Sequence, residues 1–358
     1  MKKIAYHLPQ FHSTPENDKY WGSGFTEWTN LKTAKAFFPG HNIYHPAEET
    51  GYYNLLDEKS LYAQIELAKY ANFSAFCFWH YDFGNGISTL REVPELFRRL
   101  DTSFPYMLSW VNTDWTGSWI GKNNDIIFKQ QYDEESIKQS IKYFVKAFSE
   151  ERYLKINGHP LFQVVYPDVI GLKNFYLMLE SECKDSGIKT PYFIFPDIHC
   201  SKKWIESFII DRPSLVSTIG WPPGDSLYRA GMYRIKSKLR SLGLIKGPIV
   251  VEDKKYYKKH ISNEEKKIYS SHRYIPTVLT GWDNTPRYGH NGVVLHSTDG
   301  SSGIEDYFHK FSTMLDQQKL EHNLLFFKSW NEWAEGNMLE KDSISGSKRL
   351  DAIKKVFK

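Results

Sequence analysis

Near the end of the chain, Phe326-Phe327-Lys328-Ser329-Trp330-Asn331-Glu332-Trp333-Ala334-Glu335-Gly336 halts an apolar run at two carboxylates three residues apart. Two close carboxyl groups can cleave a glycosidic bond. One, protonated, donates to the leaving oxygen, and the other must be ionised. Trp330 and Trp333 fence the pair and would desolvate Glu332, which raises a carboxyl pKa. Aromatic faces also suit the C–H faces of sugar rings. The plain alternative is a loop with two solvated glutamates, or a helix start made acidic to suit its dipole. Against it, Glu332 falls where the last strand of the chain should end. Glu332 and Glu335 are therefore the catalytic candidates.

The elements that must position them are legible as alternating runs. Strand-like segments are expected at Ile4–Phe11, Phe73–Tyr81, Tyr106–Asn112, Pro160–Tyr166, Tyr192–Asp197, Leu215–Trp221, Pro276–Trp282 and Leu324–Trp330. Most are apolar on both faces, as buried parallel strands are. Helical patterns fall between many of them, among them Glu58–Ala71, Glu134–Phe148, Leu172–Asp185 and Ile304–Lys319. Eight such units predict an α/β fold of the closed (β/α)8 TIM-barrel type, one domain over residues 1–358 with long loops after strands 1 and 6. A doubly wound sheet is the competitor. It lacks a glycine-rich phosphate loop after the first strand, since Trp21-Gly22-Ser23-Gly24-Phe25-Thr26-Glu27 has no third glycine.

In a barrel all strand ends converge on one face, where active sites sit. The expected ends carry His7 and Gln10; Trp79, His80 and Tyr81; Trp110 and Asn112; Tyr166; Asp197 and His199; Trp221; Trp282, Asp283 and Asn284; and Trp330 and Asn331. With Trp28, Asp114, Trp115 and Trp333, most of these are the substrate-binding candidates. A buried histidine bonded to a backbone carbonyl is the plain alternative for His7 and His80. Asn and Asp side chains can bridge neighbouring sugar hydroxyls. Asp283 could be a third carboxylate or could pair with Arg287, and substrate binding is the favoured reading. The aromatic loop at 12–57 points to a cleft with several subsites, hence to endo action.

Composition narrows the partners. A net charge of +4 does not indicate nucleic-acid binding. Arg229–Lys267 holds twelve Lys/Arg against four Asp/Glu. That is a solvated helical excursion by default, or else a peripheral contact with anionic lipid or an acidic glycan. Cys77, Cys183 and Cys200 are odd in number and widely spaced, so free thiols in a reducing compartment are expected. The N-terminus shows no signal-peptide pattern and no run approaches the length of a membrane span, so a cytoplasmic location is expected. His41 and His45 stand four apart without an apparent third ligand, and no nucleotide-sugar Asp-x-Asp triplet occurs. No metal or other cofactor is expected.

The segments Tyr6-His7-Leu8-Pro9-Gln10-Phe11-His12, Trp21-Gly22-x-Gly24-Phe25-Thr26-Glu27-Trp28-Thr29-Asn30, Phe38-Pro39-Gly40-His41, Trp115-Thr116 and Trp330 to Gly336 span the chain. With them the sequence resembles the WbsX-type proteins found with bacterial surface-polysaccharide genes, which carry a glycoside hydrolase family 99-like domain. The resemblance implies a (β/α)8 barrel and retaining chemistry on α-mannose-like substrates. Carried over, Glu332 would deprotonate the sugar's own 2-hydroxyl to close a 1,2-anhydro intermediate. Glu335 would protonate the leaving oxygen and then activate water. The implied partner is an oligo- or polysaccharide, free or lipid-linked. Two segments depart from the family's usual pattern. Asn112-Thr113-Asp114 stands where Asn-Glu-Asn is common, and Trp79-His80-Tyr81-Asp82-Phe83 where Tyr-His-Tyr-Trp-Phe is usual.

Overall fold

A computed structural model describes residues 1–117, 122–169, 172–197, 199, 204, 214–217, 235, 238–239, 242, 246–271, 273–297 and 303–358; for 122–124 and 214–217 the backbone alone is described. Trp221, Cys200 and most of 229–245 lie outside these residues.

Apolar runs form a ring of parallel strands: β1 (Lys2–His7), β2 (Ala75–Gly84), β3 (Tyr106–Trp110), β4 (His159–Val164), β5 (Tyr192–Pro196), β6 (Ser214–Ser217), β7 (Tyr274–Ile275 and Thr277–Leu279) and β8 (Leu324–Lys328). Pro276 has no N–H to give a ladder and splits β7. Its first half pairs with β6 (Val216 opposite Tyr274) and its second with β8 (Thr277 opposite Phe326). β8 also pairs with β1, where Ile4 lies opposite Phe326. The sheet therefore closes on itself as the expected TIM barrel. Most of the strands whose ends are described stop earlier than the apolar runs suggested, while β2 runs on to Gly84, so several candidate residues belong to the loops beyond them.

Helices wrap the ring: α1 (Pro15–Trp21), α2 (Glu27–Thr33), α3 (Glu58–Tyr70), α4 (Glu92–Arg99), α5 (Glu134–Ser149), α6 (Leu172–Asp185), α7 (Asp253–Ser270), α8 (Thr285–Tyr288), α9 (Ile304–Asp316) and α10 (Lys348–Val356). Local chemistry starts them. The side chains of Asp57 and Asp133 accept from the backbone N–H of Lys59 and Ser136 at the mouths of α3 and α5. In α5, Ile137, Ile141, Phe144 and Phe148 recur at three- and four-residue spacing and are all buried. Each such side chain contributes roughly 1.5–3 kcal/mol by leaving water.

Successive strand residues face opposite ways. Tyr6, Trp79 and Phe326 point into the barrel, where Tyr6 stacks on Trp79 at 4.6 Å and on Phe326 at 5.0 Å. Ser109 donates to Gln163 at 2.6 Å, and Gln163 donates to the Tyr6 hydroxyl at 2.9 Å, so the interior is packed and partly polar. His7, His80, Trp110 and Phe327 point outward into the helical layer. Within the long connection after β6, Ile249–Glu252 pairs in parallel with Val293–His296, and α7 exposes Lys254, Lys255, Lys258 and Lys259. No helix among the described residues is long and apolar enough to cross a membrane.

Candidate active site

The motif at the end of β8 is fixed by its own small polar side chains. Asn331 accepts from Leu8 N at 2.7 Å and donates to Leu8 O at 2.9 Å, which stitches the β8 exit to the β1 exit. Ser329 Oγ accepts from Glu332 N at 3.0 Å and donates to Asn337 O at 2.6 Å. The chain then reverses at Gly336, whose φ is +62°. A Cβ there would lie 2.6 Å from Asp283 N, so glycine is required on both counts. Gly336→Ala should lower stability by about 1–3 kcal/mol and displace Glu335, measured by denaturant unfolding.

Five charged side chains from separate elements meet here. Glu332 Oε1 accepts from Trp79 Nε1 at 2.7 Å, and its Oε2 pairs with Lys328. Lys328 Nζ also lies 3.7 Å from Glu335 Oε2. Glu335 Oε1 pairs with Arg287 of α8, and Asn337 Nδ2 donates to its Oε2 at 3.3 Å. Arg287 Nη2 reaches both oxygens of Glu27, at 2.9 and 3.1 Å. Glu27, fully buried at the start of α2, accepts from Ala334 N at 2.9 Å as well. The two candidate acids therefore differ in surroundings. Burial pushes the Glu332 carboxyl above the usual range, against the pull of Lys328 and with repulsion from Glu335. Burial also opposes ionisation of Glu335, but the Arg287 and Lys328 cations outweigh it and hold that carboxyl below the usual range.

A further buried carboxylate holds the motif from behind. Glu340 accepts from Tyr53 Oη at 2.6 Å, Gln64 Nε2 at 2.8 Å and Trp333 Nε1 at 2.8 Å. Trp333 thus packs downward beside Trp28, with ring centroids 5.8 Å apart.

The structure sorts the substrate-binding candidates. Trp79 and Tyr81 share the barrel-facing side of β2, with Trp79 bonded to Glu332. Tyr81 packs at a tilt on Trp115, with ring centroids 4.7 Å apart, and with Asp114 these two line a recess of about 120 Å³ with Phe83, Val111 and Thr113. Tyr166 is half-buried against His199, with centroids 4.2 Å apart. Gln10 is buried, and its amide has no hydrogen-bond partner among the described residues.

Other candidates are placed away from the carboxylates, and for these the expectation is corrected. His7 bonds Gln64 of α3 at 2.9 Å. His80 stacks on Tyr143 of α5, with centroids 4.8 Å apart. Trp110 packs against Phe144 and Phe175, and Trp330 against Phe73 and Phe76. Each sits at an outward position, so its ring belongs to the sheet–helix core. Asn112 is consumed locally, accepting from Tyr166 N at 2.9 Å and donating to Tyr166 O at 2.8 Å and to Tyr132 Oη at 3.2 Å. Asn331 is likewise consumed by Leu8. Trp28 donates to Tyr53 O at 2.7 Å and packs with Phe11 and Tyr53. The 12–57 loop thus spends these rings on its own core rather than on open subsites. Asp283 pairs with His41 at 2.9 Å and accepts from Thr285, not from Arg287. Asp283 and Trp282 line a separate cavity of about 640 Å³ behind Gly336. Trp221 lies outside the described residues.

Sequence reasoning missed Glu27, Lys328 and Glu340 as parts of the site and offered Arg287 only as the alternative partner of Asp283. One signal was available: Lys328 is the sole charge in the apolar run Leu324–Lys328, and a buried lysine at a strand end calls for a carboxylate.

The family description "Glycosyltransferase WbsX" matches residues 3–353. A protein named WxcX from Xanthomonas campestris pv. campestris is 28% identical over 362 residues, covering 99% of this chain and 49% of the relative. The chain thus spans about half the length of the curated relatives it matches. Among solved structures, a glycoside hydrolase-like protein aligns with a TM-score of 0.64 at 12% identity, covering 100% of this chain and 94% of the other. A GH99 endo-alpha-mannosidase from Bacteroides thetaiotaomicron, in complex with bis-tris-propane, aligns with a TM-score of 0.55 at 13% identity, covering 99% and 95%. At these identities the likeness is one of fold.

Proposed function

The chain belongs to the WbsX glycosyltransferase family, and from that premise we propose that it cleaves or transfers glycosidic linkages of a bacterial surface polysaccharide or its lipid-linked precursor. Retaining hydrolysis of an α-mannoside-like linkage by Glu332 and Glu335 is the leading form. The observation that carries it is the pairing of a buried and a half-buried carboxyl in opposed electrostatic settings at the C-terminal mouth of the barrel. One ammonium touches Glu332 and lies 3.7 Å from Glu335. A single ammonium therefore bridges the two carboxyls.

In the mechanism the resemblance implies, Glu332 takes the proton of the sugar 2-hydroxyl and O2 closes on C1. The C1–O bond to the leaving group breaks as Glu335 gives that oxygen its proton. Water then adds at C1 as the C1–O2 bond breaks, losing a proton to Glu335, while O2 regains one from Glu332. The surroundings of the two carboxyls favour the reverse arrangement, with the proton held more tightly by Glu332 than by Glu335. Substrate must therefore move a proton to Glu335, or draw Glu335 away from Arg287, before the first step. Tyr81, Trp115 and Asp114 are the nearest groups to receive a sugar ring.

The family's description favours a second reading, transfer from an activated sugar donor. Transglycosylation by the same two glutamates would reconcile the two. The test omits nucleotide sugar and adds a chelator. New reducing ends from surface polysaccharide support cleavage, whereas turnover that begins on adding nucleotide sugar overturns it. Contact of the α7 lysines with anionic lipid is a secondary proposal, supported by their exposure and checked by vesicle flotation with and without their replacement by glutamine.

A further inference from the structure

We propose that the Glu27–Arg287 couple is a positioning device that holds Glu335 as an anion before substrate binds, with Glu27 as a second seat to which Arg287 withdraws when Glu335 engages substrate. Its kinetic arm rests on the two-glutamate reading above; its titration arm does not.

The geometry is specific. Arg287 follows β7 on the short α8 helix, and its side chain is 8% exposed. One guanidinium nitrogen, Nη2, faces both Glu27 oxygens, and another, Nη1, faces Glu335. Glu27 cannot drift, because it also accepts from Ala334 N, one residue before Glu335. The couple therefore grips both the backbone and the side chain of the catalytic turn. Arg287 stays charged under all working conditions, and its fork suits two carboxylates at once.

The charged and titratable groups near Glu335 are Arg287 and Tyr288 from α8, Lys328 from β8, Glu332 from the motif, Glu27 from α2 and Tyr81 from β2. Counting Glu335 itself, three carboxyls face two cations, so Arg287 is shared. Sharing makes the sign of each substitution different. Without Arg287, Glu335 keeps Lys328 but loses its nearest cation, so its proton should bind more tightly. Without the Glu27 charge, the whole guanidinium serves Glu335 and one repulsion disappears, so its proton should bind more weakly. A scaffold role alone would not produce opposite shifts.

The experiment is a ¹³C NMR titration of the full chain labelled at glutamate carboxyls, with the Glu335 signal identified by its loss in Glu335→Gln. The midpoint should rise by about one pH unit or more in Arg287→Met and fall in Glu27→Gln, as expected for an opposite charge within bonding distance. Arg287→Lys should lie between Arg287→Met and wild type. If Arg287→Met fails to fold through its stranded Glu27, the double variant Glu27→Gln/Arg287→Met removes both charges and should still raise the midpoint. On any glycan that is cleaved, the acid limb of kcat/KM, set by the lower of the two free-enzyme midpoints, should move in the same directions. Opposite midpoint shifts without glycan cleavage would uphold the couple and refute the glycosidase reading. Unchanged midpoints, or shifts of one sign in both single variants, would overturn the proposal.

Discussion

Glu335→Gln should slow release of an ordinary sugar leaving group by about 10²–10⁴-fold, the range of a lost general acid. A substrate whose leaving group is an acidic phenol needs no proton, so its release should be slowed far less. Glu332→Gln should slow both substrates alike, since no leaving group replaces a base at the 2-hydroxyl. The amide preserves shape, and its oxygen can still accept from Trp79 Nε1, which bonds Glu332 at 2.7 Å in the wild type. Comparing kcat/KM on the two substrates for the two variants separates their roles. Equal losses on both substrates in both variants would mean that the carboxyls do not divide the work as acid and base.

The second large effect is expected at Glu340, which does no chemistry. It is 2% exposed and receives three hydrogen bonds, from Tyr53, Gln64 and Trp333. Glu340→Ala would leave these donors buried without an acceptor, at about 1–3 kcal/mol each, so a loss above roughly 3 kcal/mol is expected in urea unfolding. A pH signature accompanies it. Burial pushes the Glu340 carboxyl up to about 7, against the three donors that favour its anion. The folded chain thus holds this proton more tightly than the unfolded chain, whose carboxyl has the ordinary value of 4.5. The resulting stability is complete below pH 4.5 and is lost as pH rises through about 7, a change of about 3 kcal/mol. Glu340→Gln should remove this decline from the pH dependence of unfolding. An identical slope in the variant would show that the carboxylate is ionised throughout.

The barrel was legible because eight apolar runs alternate with amphipathic ones, and the motif because its residues are contiguous. The expected helices at Leu172–Asp185 and Glu134–Phe148 match α6 and α5 to within one residue. The site was legible only in part. Polar and aromatic residues at strand ends were read as one converging set, yet strands alternate between faces. Trp79 and Tyr81 face the interior, and His80 between them faces α5. The same parity sends His7 outward from Tyr6 and Trp110 outward from Ser109. Applied to the strand ends, a period of two would have removed these outward residues from the sequence alone. The Glu27–Arg287–Glu335 chain is a different matter. Its members lie 260 and 48 positions apart, and only closure of the barrel brings α2, α8 and the β8 exit together. Nothing local in Pro286-Arg287 distinguishes that arginine from a surface one. Asn112 shows the opposite error: a residue type suited to sugar hydroxyls is spent on the backbone of Tyr166 and the hydroxyl of Tyr132.

The central claim is that Glu332 and Glu335 cut a glycosidic bond without an activated donor. The most direct test incubates wild type and Glu335→Gln with the surface polysaccharide and lipid-linked precursors of the source organism, in ¹⁸O water and without nucleotide sugar. Mass spectrometry should find fragments carrying one ¹⁸O at the new reducing end for wild type and not for the variant. Rearranged chains without ¹⁸O would assign the same residues to transfer between glycans. No product until a nucleotide sugar is supplied, or equal product from the variant, would contradict the account.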